Sequence, residues 1–456
     1  MIKYETDSRK IKPGQTFVAI KGYTVDGHDY IDSAIKNGAT EIIAEKHVNC
    51  SVPVTVVEDP AKYFQEKLVH EYADDFSKLK LIGITGTNGK TTSAYLTYQT
   101  LNLLGHKASY IGTLGFMLDD YYEELQNTSP DILTLYKLLE YSVENGVEYV
   151  VAEVSSHALS FNRFEGLNFE VCAFTNLTED HLDYHKTMEN YLNAKLLILN
   201  YLKKSGTMLV NKDDEAGIKF AERFVNTKSF GIDDADYDIR KFEIFPDHTD
   251  IVFKNEDKKY NVTTNLTSKF NIYNYLTMVG IVNSLGFEIN DIISVTKKLK
   301  QPKGRCETYK VKDGFAVVDY AHTPDAVLKV VTAYKELAKA RVITLVGCGG
   351  DRDPMKRPIM GNIASEYSDY VIFTNDNPRT ENPEKIMQDI LKGVEKKNYE
   401  VCLDRRLAIK KALDMIEKDD IVLLLGKGHE DYQIIGHTKI HFDDSEEILN
   451  YVKNQA

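Results

Sequence analysis

The chain has 456 residues, 43% of them hydrophobic and 27% charged, and a formal net charge of −13. That length exceeds one ordinary core and predicts two to four domains, while no run approaches the roughly 20 apolar residues of a membrane span. The acidic balance disfavours non-specific nucleic-acid binding, MIKYETDSRK lacks a signal-peptide core, and five scattered cysteines without CxxC spacing read as reduced thiols of a cytoplasmic protein.

Strand-like apolar runs alternate with helix-period segments, the pattern of an α/β protein with largely parallel sheets. In chain order the runs are TFVAI (16–20), TEIIAE (40–45), KLIGIT (80–85), YVVAEV (149–154), FAVVDY (315–320), RVITLVG (341–347), YVIFTN (370–375) and IVLLLG (421–426). The polar stretch EYADDFSK (71–78) closes a first domain, expected to span 1–78. KKLKQPKGR (297–305) separates a middle domain (79–302) from a last one (303–456), and residues 229–268 form a β-rich portion of the middle domain.

The sharpest local feature is LIGITGTNGKTTSAYLTYQTL (81–101), a strand, a turn with Gly86 and Gly89, and a helix beginning at Lys90-Thr91-Thr92. Glycines let backbone N–H groups face phosphates, the helix dipole favours negative charge, Lys90 adds a cation and Thr91 can ligate Mg²⁺. Strict Walker spacing asks for glycine at 84, where Ile84 stands, and Gly83 is one residue out.

Glu153 ends the next buried-type strand, and a further strand runs into Asp180, His181, Asp183 and His185. Alone, Glu153 and His181 each read as structural; beside a phosphate loop, an acidic strand end is where nucleotide-bound Mg²⁺ finds a protein oxygen. In the following segment Leu192, Lys195, Leu196 and Leu199 fall at helical spacing, which places Lys195 on an apolar stripe. The residues alone favour an amine that snorkels from the stripe's edge. A desolvated amine would instead be neutral, and could add carbon dioxide to become an anionic ligand.

TGTNGKTT, EVSSHAL, FTNLTEDHLDYH, the NAK lysine, DYAHTPDA (319–326), GCGGDRD (347–353), DNPRTENP (376–383) and GKGHEDYQ (426–433) follow DSRKIKPGQTFVAIKG (7–22) in one order. Together they resemble the Mur ligases over nearly the whole chain, and within them the branch that adds a diamino acid to a UDP-N-acetylmuramoyl dipeptide. The resemblance implies three domains: a small α/β N-terminal domain for the UDP moiety, a central P-loop ATPase domain with a mainly parallel sheet, and a C-terminal Rossmann-like domain for the amino acid.

It further implies ATP binding by Gly86, Thr87, Asn88, Gly89, Lys90, Thr91, Thr92, Asn271, Asn274, Arg305 and Asp319. Mg²⁺ would be held by Thr91, Glu153, His181 and carbamylated Lys195, and Lys90, Glu153, His181 and Lys195 would be catalytic. Ser8, Asn127, Thr128, Ser129, Ser155 and Arg163 match positions that hold the UDP-muramoyl substrate. Arg352, Asp376, Asn377, Arg379, Gly426 and Glu430 match the amino-acid pocket. Tyr23 and Phe161 stand where some relatives have polar substrate contacts.

By the same resemblance the acceptor carboxylate takes the γ-phosphate of ATP, and an amine displaces phosphate from the acyl phosphate. Arginine in DNPR goes with meso-diaminopimelate, whose distal carboxylate it can clamp bidentately; lanthionine and L-lysine are the alternatives. A folylpolyglutamate-synthase-like ligase is the nearest enzyme rival and a P-loop motor ATPase the rival from another class. Small-molecule substrates, a cytoplasmic monomer, and neither nucleic acid nor membrane span complete the expectation.

Overall fold

The computed structural model describes residues 1–22 and 25–455, so Tyr23 lies outside the described residues. They form two compact units: Met1–Asp236 with Leu276–Ile292, and Tyr237–Tyr275 with the stretch from Ile293 onward.

The first unit opens with a small parallel sheet of β1 (Tyr4–Glu5), β2 (Thr16–Val18), β3 (Glu41–Ala44) and β4 (Val54–Val56), in that spatial order. The helix Pro60–Tyr72 covers it. Asp59 caps this helix by accepting from the Lys62 N–H, and Pro60 takes the first position, where its missing N–H costs nothing. Phe17, Ile31, Ala34 and Ile42 make a core for this layer alone. Tyr4, Phe64 and Leu68 instead join the larger core, with Leu135, Tyr136 and Leu139 of the helix Ile132–Glu144. Lys137 Nζ reaches the buried Glu5 Oε2 at 2.6 Å across this junction.

The larger layer is built from β5 (Lys80–Thr85), β6 (Ala108–Gly112), β7 (Gly115–Leu118), β8 (Tyr121–Glu123), β9 (Tyr149–Glu153), β10 (Phe169–Phe174), β11 (Leu202–Asn211) and β12 (Thr227–Ile232). Their spatial order is β12-β11-β10-β5-β9-β6-β7-β8. Pairing is parallel from β12 through β6 and antiparallel at the β6-β7-β8 edge. β5 and β9 are apolar nearly throughout because both faces of a central parallel strand are covered. The chain leaves β5 toward β6 on one side and later returns to β10 on the other. The carboxyl end of β5 is thus a topological switch point, the position at which open α/β sheets bind ligands.

In the second unit β13 (Tyr237–Ile244), β14 (Thr249–Asn255) and β15 (Lys258–Thr264) form an antiparallel meander. β16 (Glu307–Val311), β17 (Gly314–Asp319), β18 (Val342–Val346), β19 (Tyr370–Phe373), β20 (Tyr399–Val401) and β21 (Ile421–Leu425) form a sheet ordered β16-β17-β21-β18-β19-β20, parallel except at β16. Its two faces carry separate cores, one around Val331, Phe373 and Leu425, the other around Leu345, Leu413 and Leu424. The hairpin β22 (Tyr432–Ile435) and β23 (Thr438–His441) follows. Arg405 and Asp444, both fully buried, pair bidentately at 2.8 and 2.5 Å.

All eight sequence-predicted runs contain strands, and the β-rich portion at 229–268 contains the meander. All five cysteines are free thiols, four buried and Cys50 half-buried. Among the described residues no helix is long and apolar enough to cross a membrane.

Candidate functional site

The turn after β5 owes its shape to two glycines. Gly86 has φ +146°, and a Cβ there would stand 1.9 Å from Thr175 Oγ1. Gly89 caps the helix Lys90–Leu103 in the left-handed region at φ +85°, open to glycine at no steric cost. Thr175 Oγ1, at the end of β10, donates to Asn88 O at 2.6 Å, and Asn176 Oδ1 accepts from Asn88 N at 2.9 Å. The loop is therefore clipped to the neighbouring strand end. Lys90 Nζ folds back to Gly86 O and Thr87 O, both at 2.8 Å.

Thr91 and Glu153 meet at the first turn of that helix, Thr91 Oγ1 donating to Glu153 Oε2 at 2.9 Å. Glu153 has no solvent exposure. Its carboxylate also accepts from Tyr110 OH at 2.5 Å, Thr113 N at 2.8 Å and Thr113 Oγ1 at 3.3 Å. All four donors are neutral, so among the described residues Glu153 is neither a helix cap nor half of a salt bridge. The Thr91 hydroxyl and the Glu153 carboxylate are hard oxygens side by side, a donor set suited to Mg²⁺.

Lys195 does not snorkel. It is 1% exposed on the helix Met188–Leu196, with Nζ donating to Gly86 O at 2.7 Å and lying 4.3 Å from the Tyr191 ring centroid. Burial, and after it the Lys90 cation, hold its ammonium well below the usual lysine range. One carbonyl, that of Gly86, thus receives both lysines. As an amine Lys195 offers a metal no oxygen; the carbamate would. His181 is half-exposed (48%) in the left-handed region at φ +54°, its ring edge-on to His157 at 5.0 Å.

Of the residues expected at the UDP-muramoyl substrate, four gather beside Glu153. Ser129 Oγ donates to Glu153 O at 2.8 Å and accepts from Ser155 N at 3.0 Å, Arg163 NH1 donates to Ser129 O at 2.6 Å, and Thr128 Oγ1 pairs with Thr113 Oγ1 at 3.1 Å. Ser8 is buried in the N-terminal layer, its carbonyl accepting from Asn37. Asn127 is exposed, and half-exposed Phe161 carries the Arg163 guanidinium 5.7 Å from its ring. A separate cavity of about 540 Å³ lies at the N-terminus of the helix Pro60–Tyr72, lined by Ile20, Lys21, Asp59 and Lys62 among others.

In the second unit Asp319, Asp376 and Gly426 stand at strand carboxyl ends, Arg305 lies just before β16, and Asn271 and Asn274 lie on the helix Lys269–Ser284. Asp319 closes β17; burial raises its pKa, the Arg305 charge opposing. Arg305 lies 4.9 Å from the Tyr320 ring, which in turn contacts the His429 ring at 4.9 Å. Asn274 Nδ2 donates to Asn271 Oδ1 at 2.9 Å.

After β19, Asp376 and Asn377 are buried, and Asn377 Nδ2 donates to Glu430 Oε2 at 2.8 Å. Arg379 has φ +50°, exchanges backbone hydrogen bonds with Ile434 and Gly436 of the β22–β23 hairpin, and donates from NH1 to Gly350 O at 2.8 Å. Its other guanidinium N–H groups have no protein partner among the described residues. Gly426, at φ +111°, leaves the only room Asp376 Oδ2 allows, since a Cβ would stand 2.6 Å away. Arg352 is exposed nearby, donating to Asp351 O at 3.0 Å.

Three residues escaped the sequence reading. Tyr110 holds Glu153, Arg357 is 1% exposed and pairs with Glu381 and Asp389, and Lys427 is fully buried beside Glu430. For Lys427 a signal existed: a lysine between glycines at the carboxyl end of a wholly apolar strand.

The Mur ligase middle domain matches residues 84–282, the Mur ligase glutamate ligase domain residues 304–428, and the Mur ligase family catalytic domain residues 4–74. The UDP-N-acetylmuramoyl-L-alanyl-D-glutamate–2,6-diaminopimelate ligase of Bacillus cereus is 42% identical over 97% of this chain and 92% of its own length. A solved structure of a ligase bearing that description is 30% identical with a TM-score of 0.71, covering 100% of this chain and 95% of that one. The MurF ligase of Thermotoga maritima in complex with ADP shares the fold at a TM-score of 0.71 and 21% identity, covering 100% and 99%.

Proposed function

The chain belongs to the Mur ligase family and is an ATP-dependent ligase, and from that premise we propose that it joins meso-diaminopimelate to UDP-N-acetylmuramoyl-L-Ala-D-Glu in peptidoglycan precursor synthesis. The observation that carries the choice of amino acid is the pocket after β19. An arginine fork with one edge tied to Gly350 O and the other without a protein partner faces the chemistry of a carboxylate; Glu430 and Asp376 face that of an ammonium. A diamino diacid presents both groups at its distal end, whereas L-lysine lacks the carboxylate.

The acceptor's D-glutamate carboxylate is a poor electrophile, and transfer of the γ-phosphoryl group of ATP converts it to an acyl phosphate. Such transfer depends on alignment and charge neutralisation more than on covalent help. In this reading Lys90 leaves Gly86 O and Thr87 O for the phosphates, and the N–H groups of the turn from Gly86 to Thr92 cradle them. Mg²⁺, held by Thr91 and Glu153, would neutralise phosphate charge. His181 and Lys195, the latter as its carbamate, would complete the metal-binding set. Asn271, Asn274, Arg305 and Asp319 would contact the nucleotide; Ser8, Asn127, Thr128, Ser129, Ser155 and Arg163 the UDP-muramoyl substrate. The nucleotide-linked substrate and free thiols fit a cytoplasmic location.

The test is phosphate release with Mg²⁺, ATP and the nucleotide-linked dipeptide against meso-diaminopimelate, lanthionine, lysine and glutamate. Rapid release should need all components and be fastest with meso-diaminopimelate. Release with ATP alone would sink the ligase reading, and a preference for lysine would sink the amino-acid assignment.

A further inference from the structure

Among the described residues, Lys427 is an ammonium placed between Asn377 and Glu430, two groups assigned above to the amino acid, and the fold goes to some length to put it there. It follows the apolar β21 in the sequence Gly426-Lys427-Gly428. Both glycines have positive φ, +111° and +51°, and both are pressed against neighbours. A Cβ on Gly426 would stand 2.6 Å from Asp376 Oδ2, and one on Gly428 2.5 Å from Tyr320 Cβ. The loop backbone is thereby seated on the ends of β17 and β19, and the lysine between the glycines is 0% exposed.

Its Nζ lies 3.2 Å from Glu430 Oε2 and 3.4 Å from Asn377 Oδ1, with the Tyr432 ring at 5.5 Å. Asn377 closes the ring. Its Nδ2 donates to the same Glu430 oxygen at 2.8 Å, while its Oδ1 accepts from Ile434 N at 3.0 Å, which fixes the amide's orientation. Two donors therefore share Glu430 Oε2, and Oε1 has no protein partner among the described residues. A buried ammonium is costly unless paired, so the Lys427–Glu430 contact fixes both side chains in place.

We propose that Lys427 is a positioning residue for the amino-acid substrate: it holds the Glu430 carboxylate turned so that Oε1 receives an ammonium group of the incoming diamino acid. The role rests on the ligase reading above and goes beyond it, since Lys427 acts through Glu430 and touches no reacting atom.

The test compares Lys427→Met, Lys427→Gln, Glu430→Gln and the double variant Lys427→Met/Glu430→Gln in the full chain. Amino-acid-dependent phosphate release by the unmodified protein is confirmed first; its absence counts against the ligase reading alone. Lys427→Met should raise KM for meso-diaminopimelate by roughly 30-fold or more, the scale expected when a buried charge pair loses one partner, and should change KM for ATP and for the nucleotide substrate by less than about threefold. Lys427→Gln, which keeps a donor, should recover part of the loss. The double variant should be no worse than Glu430→Gln, because a residue acting only through its partner adds nothing once the partner's charge is gone. Unchanged amino-acid KM in Lys427→Met, or losses that multiply in the double variant, would overturn the proposal. Failure of both Lys427 variants to fold would assign the lysine to stability and overturn it equally.

Discussion

Arg379 holds φ +50°, where a side chain with a Cβ is strained by about 1–2 kcal/mol. The hairpin bonds to Ile434 and Gly436 keep it there, so strain and function can be separated. Arg379→Gly and Arg379→Ala should both lose meso-diaminopimelate use by about two to three decades in kcat/KM, the price of breaking a buried charge pair. In urea unfolding the glycine variant should be the more stable by about 1 kcal/mol. Equal stability would mean the backbone relaxes freely. Lys195→Ala should fold yet be nearly inactive, with partial rescue by short carboxylates that replace the missing oxygens; wild-type rates would exclude a carbamate role. His429 supplies a pH test. Burial first, then the Arg305 charge, lowers its pKa from 6.5 to about 4. The unfolded chain then binds the extra proton between those values, so stability is full above pH 6.5 and falls as pH drops toward 4. The slope approaches about 1.4 kcal/mol per pH unit, and His429→Asn should flatten it in urea titrations at pH 4.5–7.

Among the elements, the phosphate loop depends on β10 as much as on its own glycines. Thr175→Val keeps the volume near Gly86 but removes the bond to Asn88 O, so KM for ATP should rise about tenfold, the worth of one well-placed hydrogen bond. An unchanged KM would show that Asn176 suffices. This clip joins segments almost ninety residues apart, and nothing in the local spacing announces it. What was legible belonged to single elements. Continuous apolar runs gave β5, β9 and β21, and the Gly86–Thr92 turn stood out because a strand and a helix flank it. The helical stripe placed Lys195 inside, although the residues alone favoured the edge; the Gly86 carbonyl that receives its amine comes from a loop far along the chain. Tyr110 and Arg357 stayed hidden for the same reason, since each is justified only by carboxylates from other elements: Glu153 of β9 for Tyr110, and Glu381 and Asp389 for Arg357. Asn377 and Glu430 were found through motif resemblance, whereas their mutual hydrogen bond is a product of topology, which sets the loops after β19 and β21 at one end of the sheet on either side of β18.

At the scale of the whole molecule, each unit carries polar contacts that its apolar cores enclose. The Arg405–Asp444 pair, with no exposure on either side, should make Arg405→Ala cost about 3–5 kcal/mol, because the aspartate is left buried and unpaired. Arg405→Met with Asp444→Leu should recover most of that, and comparing urea midpoints of the two variants decides it. The thiols add something different. Cys172 lies in β10 of the first unit; Cys306, Cys348 and Cys402 lie in the second, and burial raises the pKa of all four. Shielded, protonated thiols react with maleimide or dithiobis reagents only when the structure around them opens. The chain thus carries its own set of opening clocks, one in the first unit and three in the second. The order in which mass spectrometry finds them labelled reads out which unit breathes first, with no probe engineered in.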